Sequence, residues 1–206
     1  MIITSILPYE KGKGRMAVYL NDEFAFVLYK GELSKYKLSV GAALPESLYK
    51  RICEETLIKR ARLRGMNLLM KQDRCEADVR HKLSEGGYPD EIIDDAINYL
   101  KSFNYIDDAR YAEDYINAKK STYSRKDIES RLRNKGIDGE IIDKCLEELF
   151  PEDDIDALIK LMHKKCPDAG SLDYEGRMKL FAYLYRKGFD MSSIEKAYEQ
   201  IRRECI

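Results

Sequence analysis

The chain has 206 residues, of which 36 are Lys or Arg and 37 are Asp or Glu, giving a formal net charge of −1 at pH 7. That length allows one or two domains. No apolar run is long enough to span a bilayer and no charged, apolar, small-residue leader opens the chain, so a cytoplasmic protein is expected. Cys53, Cys75, Cys145, Cys166 and Cys205 are scattered and never paired as Cys-x-x-Cys, which argues against a disulfide framework and for inert thiols in a reducing compartment.

The first 44 residues read as a small β meander. From Arg15 to Tyr29 apolar and aromatic residues run almost unbroken, interrupted only by Asn21, Asp22 and Glu23, which mark a tight hairpin turn. Met16, Val18 and Leu20 would share one face and Ala17 and Tyr19 the other. Ile2 to Leu7 supplies a third strand ahead of a turn at Lys11-Gly12-Lys13-Gly14. Leu44-Pro45 then opens a long helix, with Pro45 in its first turn, running through Tyr49, Ile52 and Leu57.

From there one apolar template is written three times, about 50 residues apart, around Gly87, Gly136 and Gly188. Eight residues before each glycine stands Val79, Ile128 or Leu180, and four before stands Leu83, Leu132 or Leu184. Directly after come Tyr88, Ile137 and Phe189; at plus six Ile93, Ile142 and Ile194; at plus nine Ala96, Cys145 and Ala197; at plus thirteen Leu100, Leu149 and Ile201. The upstream pair makes a helical stripe, the glycine supplies a left-handed turn that ends the helix, and the downstream slots form the next helix. A further amphipathic segment precedes each pair: Ala61, Met66, Leu69 and Met70; Ala109, Ala112, Tyr115 and Ile116; Ile155, Leu158, Leu161 and Met162. Ser124, with Asp127 three residues on, and Asp107 read as N-caps.

The fold class expected is therefore mainly α: three tandem three-helix repeats in an elongated, solenoid-like array after a β meander. The divisions are 1–44 for the β-rich part, 45–104 for the linking helix and first repeat, 105–150 for the second repeat and 151–206 for the third.

Charge is banded along the chain. Residues 117–135 hold Lys119, Lys120, Arg125, Lys126, Arg131, Arg133 and Lys135 against Asp127 and Glu129. Residues 138–156 invert this, with Asp138, Glu140, Asp143, Glu147, Glu148, Glu152, Asp153, Asp154 and Asp156 against Lys144. The first unit also opens basic, with Lys59, Arg60, Arg62, Arg64, Lys71 and Arg74. With Ile128 and Leu132 facing the core, Lys126, Ser130 and Arg133 fall on the opposite face; the equivalents are Ala77, His81 and Ser84 in the first unit and Met178, Ala182 and Tyr185 in the third. Lys119, Lys120, Lys126, Arg131, Arg133, Lys135 and Arg74 are the candidate partner- or DNA-binding residues. In a chain this charged, such bands also arise as merely solvated faces.

Catalytic signals are weak. Gly12 and Gly14 lack the spacing of a phosphate loop, and His163 with Cys166 has no second ligand pair for zinc. Asp94-Asp95 and Asp107-Asp108 read as solvated or capping carboxylates. The sequence favours neither an enzyme nor a cofactor.

The stretch Tyr105-Ile-Asp-Asp-Ala-Arg-Tyr-Ala-Glu-Asp-Tyr-Ile116, with Lys82-Leu83…Gly87-Tyr88 before it and Ile128…Leu132…Gly136-Ile137 after it, resembles the signature of the RecX family. The likeness runs from about Leu57 to Ile201. Asn104 stands where that family often has glycine, and Cys75 where it favours serine, with Asp73 as a substitute cap. The resemblance implies a regulator, mainly an inhibitor, of the RecA recombinase that binds the RecA–DNA filament along its groove and restrains ATP hydrolysis, strand exchange and co-protease activity. A monomer without cofactor is expected. Direct binding of single- or double-stranded DNA through the basic helices, and a general α-solenoid scaffold, remain the alternatives.

Overall fold

The computed structural model describes residues 1–10, 13–150 and 155–204, the side chains of 156, 157 and 204 excepted. Lys11 and Gly12 of the expected turn, Glu152, Asp153 and Asp154 of the acidic band, the Asp156 side chain and Cys205 lie outside the described residues. The chain divides into two compact units, Met1–Asp107 and Asp108–Ile206.

The first unit opens with a three-stranded antiparallel meander, β1 (Ile3–Pro8), β2 (Arg15–Leu20) and β3 (Glu23–Tyr29), in the order β1-β2-β3. Asn21 and Asp22 hold the left-handed φ values of 49° and 70° that a two-residue hairpin turn requires. Glu23 is already the first residue of β3. Their neighbours brace the turn: Asn21 Oδ1 accepts from the Ile2 amide at 2.9 Å and Thr4 Oγ1 from the Asp22 amide at 2.9 Å. A bulge between Val18 and Tyr19 breaks the strict alternation expected of β2, and Ala17 is buried as deeply as the Val18 and Leu20 face.

A short helix, α1 (Lys30–Lys35), leads toward α2 (Glu46–Ile52), with Pro45 at its N-cap rather than in its first turn. The helix continues without a break through a π-helical stretch, Cys53–Ile58, into α3 (Lys59–Lys71). Ile52 and Leu57, five residues apart, are both fully buried, and Leu57 is followed at four by buried Ala61. Five-residue spacing suits i→i+5 winding, so the π stretch keeps both side chains on the inner face. Met70 departs from the expected apolar face and is 82% exposed. Nine residues of helix turn it about 180° from Ala61, while Met66 and Leu69 stay against the core.

The first repeat is α3, α4 (Glu76–Ser84) and α5 (Asp90–Ser102). Cys75 is the N-cap of α4, and its side chain makes no capping bond. Asp73 is therefore not the cap. Val18, Leu20, Phe26 and Leu28 of the sheet join Ile52, Leu57, Val79, Leu83, Ile97 and Leu100 in one continuous core. Asn104, at φ 55°, makes the left-handed turn expected of it.

The second unit contains repeats two and three. Repeat two is α6 (Asp108–Lys119), α7 (Arg125–Asn134) and α8 (Gly139–Leu149). Repeat three is α9 (Ile155–Lys165), α10 (Tyr174–Tyr185) and α11 (Met191–Glu204). Ser124 caps α7, accepting from the Asp127 amide at 3.1 Å. The template is met in space: Val79, Leu83, Ile128, Leu132, Leu180 and Leu184 are buried, and Gly87, Gly136 and Gly188 have φ of 75°, 79° and 88°. Of the downstream slots only Leu149 is half-exposed; the next residue, Phe150, takes the buried place.

Repeats two and three lock together at a turn. The Ser124 amide donates to the Lys187 carbonyl at 3.2 Å, and a Cβ on Gly188 would lie 2.6 Å from Ser124 Oγ and 2.7 Å from Asp127 Cβ. Glycine is thus needed at 188 for close approach as well as for its dihedral.

Candidate partner-binding surface

The outer face of α7 follows from its periodicity. Ile128 and Leu132 point inward, and Lys126, Ser130 and Arg133 are exposed on the other side. Lys126 makes no ion pair among the described residues. Arg133 is tied down: its Nε donates to Glu129 at 2.9 Å, one helical turn back, and its Nη2 stands 3.7 Å from Asp143 of α8. The basic and acidic bands therefore meet at this residue.

Arg131 points away from that face. It pairs with Asp127 at 2.5 Å, which raises its pKa further, and its guanidinium lies 4.4 Å from the centre of the Tyr123 ring. Lys187 of repeat three approaches the same ring at 4.1 Å. Two cations flanking one tyrosine reinforce the junction between repeats, since a ring quadrupole attracts cations on its faces. Lys135 lies 5.5 Å from the Tyr111 ring, and Lys119 and Lys120, at the end of α6, are half-buried. Arg74 belongs to the first unit, in the connection between α3 and α4. Its Nη2 reaches Gln72 at 3.5 Å, and its Nε is buried without an acceptor among the described residues.

The two carboxylates that pair with Arg131 and Arg133 were legible: Asp127 and Glu129 stand four residues before their partners, the spacing that brings helical side chains together. Tyr123 and Lys187 were not, because their meeting depends on how two repeats pack. The Asp94-Asp95 pair lies on the outer side of the repeat, with Asp94 exposed to solvent and Asp95 half-buried, and both carboxylates are also ion-paired. Asp94 accepts from Arg80 at 2.6 Å, and Asp95 takes a two-pronged bond from Arg62 at 2.7 and 2.9 Å. No helix among the described residues is long and apolar enough to cross a membrane.

The repeat pattern recurs in known proteins. Family models for the first, second and third three-helix domains of RecX match residues 61–100, 107–146 and 152–198 in order. The chain is 29% identical to "Regulatory protein RecX" of Caldanaerobacter subterraneus subsp. tengcongensis over 96% of its own length and 98% of that protein. It is 31% identical to the protein of the same name from Clostridium tetani, covering 79% of this chain and 76% of the relative. Among solved structures, a crystal structure of regulatory protein RecX superposes with a TM-score of 0.60 at 28% identity, covering 96% and 98% of the two chains. RecX from Lactobacillus salivarius gives 0.60 at 25% identity, over 70% of this chain and 96% of that one. With three three-helix domains matched in sequence order and relatives spanning nearly the whole length, the chain belongs to the RecX family of regulatory proteins.

Proposed function

We propose that this chain modulates, and mainly inhibits, the RecA recombinase of its cell, binding the RecA–DNA filament along its groove as a cytoplasmic monomer. Its effect is to restrain ATP hydrolysis, strand exchange and co-protease activity in DNA repair. The observation that carries this reading is the ordered set of three RecX three-helix domains in a chain that pairs over nearly its whole length with proteins named as regulators. Tandem units suit a filament, because each adds a modest contact whose effect multiplies through effective concentration. The exposed face of α7, with Lys126 making no ion pair among the described residues and Arg133 held in reach of solvent, is the contact proposed for repeat two. Lys119, Lys120, Lys135 and Arg131 extend the cationic field around it, and Arg74 provides a cation in the first unit.

The test is recombinase ATP hydrolysis on single-stranded DNA with the parent chain and with the double variant Lys126→Glu, Arg133→Glu. Inhibition should weaken in the variant while thermal stability changes little, since exposed i,i+4 pairs are worth about 0.3–0.5 kcal/mol. Parent inhibition should also persist at salt concentrations where binding to bare oligonucleotide is no longer detectable, because protein–protein contacts add apolar and directed interactions to charge. Undiminished inhibition by the variant would remove α7 from the interface. Inhibition that vanishes in step with bare-DNA affinity would replace filament binding by competition for DNA.

A further inference from the structure

A second concentration of cations lies in the first unit, between the hairpin and α3. Arg15 and Tyr29 are register partners across β2 and β3. Beside them opens a groove of about 430 Å³, lined by Arg15, Tyr29, Arg60, Arg64, Lys71 and Tyr88 among others, with four cations and no carboxylate in its lining. The β leader thus supplies one wall and α3 the other.

The cations differ in what they have left to give. Arg60 is fully engaged: Nε donates to the Tyr88 hydroxyl at 3.2 Å, Nη1 to Glu32 at 2.7 Å and Nη2 to the Val27 carbonyl at 2.5 Å. Its guanidinium lies 5.2 Å from the Tyr29 ring centre and 5.5 Å from that of Tyr88. This residue holds the sheet to α3 and fixes both rings at the groove. Arg64, one helical turn on, is the opposite case. Its Nε is buried with no acceptor among the described residues, and its Nη2 makes only a long bond, 3.4 Å, to the Lys82 carbonyl. A guanidinium that lines the groove and has made so few bonds has donors left at its outer end for an incoming anion. Lys71, two turns beyond Arg64 on the same face, is exposed and makes no ion pair among the described residues. Between and beside these charges, Tyr29 is 43% and Leu63 57% exposed.

We propose that this groove binds single-stranded nucleic acid, with phosphates on Arg64 and Lys71 in the field of Arg15, and a base laid against Tyr29 and Leu63. Cations alone would suit any polyanion. The combination with exposed ring and apolar surface is what distinguishes a strand, whose unstacked bases offer flat faces that an acidic peptide lacks and a duplex conceals. The inference needs no recombinase and stands or falls separately from the filament reading.

The test uses the full chain and a fluorescein-labelled oligothymidine, with anisotropy read over a series of salt concentrations. Two or three phosphate contacts predict that log K falls against log salt with a slope of about 1.4–2.1, at about 0.7 per phosphate. Lys71→Gln, an exposed change, should lower that slope by about 0.7. Tyr29→Ala should weaken binding at least about fivefold at constant salt, while Tyr29→Phe, which keeps the ring, should not. Lys144→Gln, exposed on α8 in the other unit, should change neither, and melting curves verify that each variant folds. Unaltered slope and affinity in both Lys71→Gln and Tyr29→Ala would overturn the proposal. So would an oligo-glutamate of equal length that competes as well as the oligonucleotide, which would assign the groove to an acidic protein segment. Duplex DNA bound as tightly as the strand and indifferent to Tyr29→Ala would reduce it to charge alone.

Discussion

Replacing Gly87 by alanine tests whether the β leader is packed against the repeat it precedes. Gly87 has φ +75°, and Gly41, in the same unit, has φ +83°, so alanine at either position pays the left-handed penalty of about 1–2 kcal/mol. Around Gly41 an added Cβ meets nothing within 4 Å. At Gly87 it falls against Val27 Cγ2, 3.1 Å from Val27 Cβ and 3.4 Å from Tyr9 Cζ. Val27 is 1% exposed and β-branched, so its χ1 is restricted and the packing around it leaves little room to retreat. Overpacking of this kind adds about 1–3 kcal/mol. Gly87→Ala should therefore cost about 2–5 kcal/mol against about 1–2 for Gly41→Ala. Urea unfolding followed by circular dichroism measures both, with comparison of midpoints at unchanged slope. Val27→Ala combined with Gly87→Ala should cost less than the two changes summed, since the second removes the methyl groups that the first strikes. Equal losses for Gly87→Ala and Gly41→Ala, with additivity in the double variant, would mean that the sheet does not press on this turn.

Leu132→Ala removes a fully buried side chain of α7 and should cost about 2–5 kcal/mol in urea unfolding, whereas Leu149→Ala, at a half-exposed slot of the same template, should cost clearly less; equal costs would break the link between template and core. Glu76 offers a pH test: burial pushes its carboxyl pKa up, but hydrogen bonds from Lys101 at 2.8 Å and Arg80 at 2.7 Å outweigh this and hold it below the ordinary value. A depressed carboxylate stabilises the fold above its unfolded pKa of about 4.3, and that contribution is lost as pH falls from there through the folded value. Glu76→Gln should accordingly flatten the acid limb of stability against pH, and parallel limbs in parent and variant would refute the assignment.

The helices and their inner faces were legible because they are encoded locally. Val79 with Leu83, Ile128 with Leu132, and Leu180 with Leu184 each announce one turn of buried stripe, and a glycine four residues on announces the stop. Asn21-Asp22 declared its hairpin by residue type alone. What escaped is set by distant partners. Arg60 holds Val27 and Glu32 across roughly thirty positions of sequence, and no periodicity forecasts that its three donors reach β3, α1 and Tyr88 at once. The joining of sheet and first repeat in one core escaped for the same reason: alternation shows that a strand has a face to bury, not which helix covers it. Met70 shows where composition and angle part: it is apolar and stands in an amphipathic segment, yet its position on the helix is opposite Ala61.

The same distinction between local and distant pairing separates the two cationic regions in what they can bind. On α7, Arg131 and Arg133 already sit beside Asp127 and Glu129. An incoming phosphate must displace or tolerate those carboxylates, and because the pairs are exposed and weak, exchange is cheap but the net gain is small. Such a face discriminates by geometry. It rewards a partner whose acidic and apolar groups fit Lys126, Ser130 and Arg133 together, and it resists indiscriminate polyanions through its own negative charges. In the first-unit groove no carboxylate lines the wall, and Arg64 holds a donor that nothing among the described residues satisfies. There an anion meets the lightly bonded end of Arg64 and the exposed Lys71 without displacing a carboxylate, so the groove suits a repetitive ligand such as a phosphodiester strand. Under the function proposed above, the α7 face would meet the protein of the filament and the first-unit groove the strand it is wound on, because the first kind of surface selects by fit and the second tolerates any sequence.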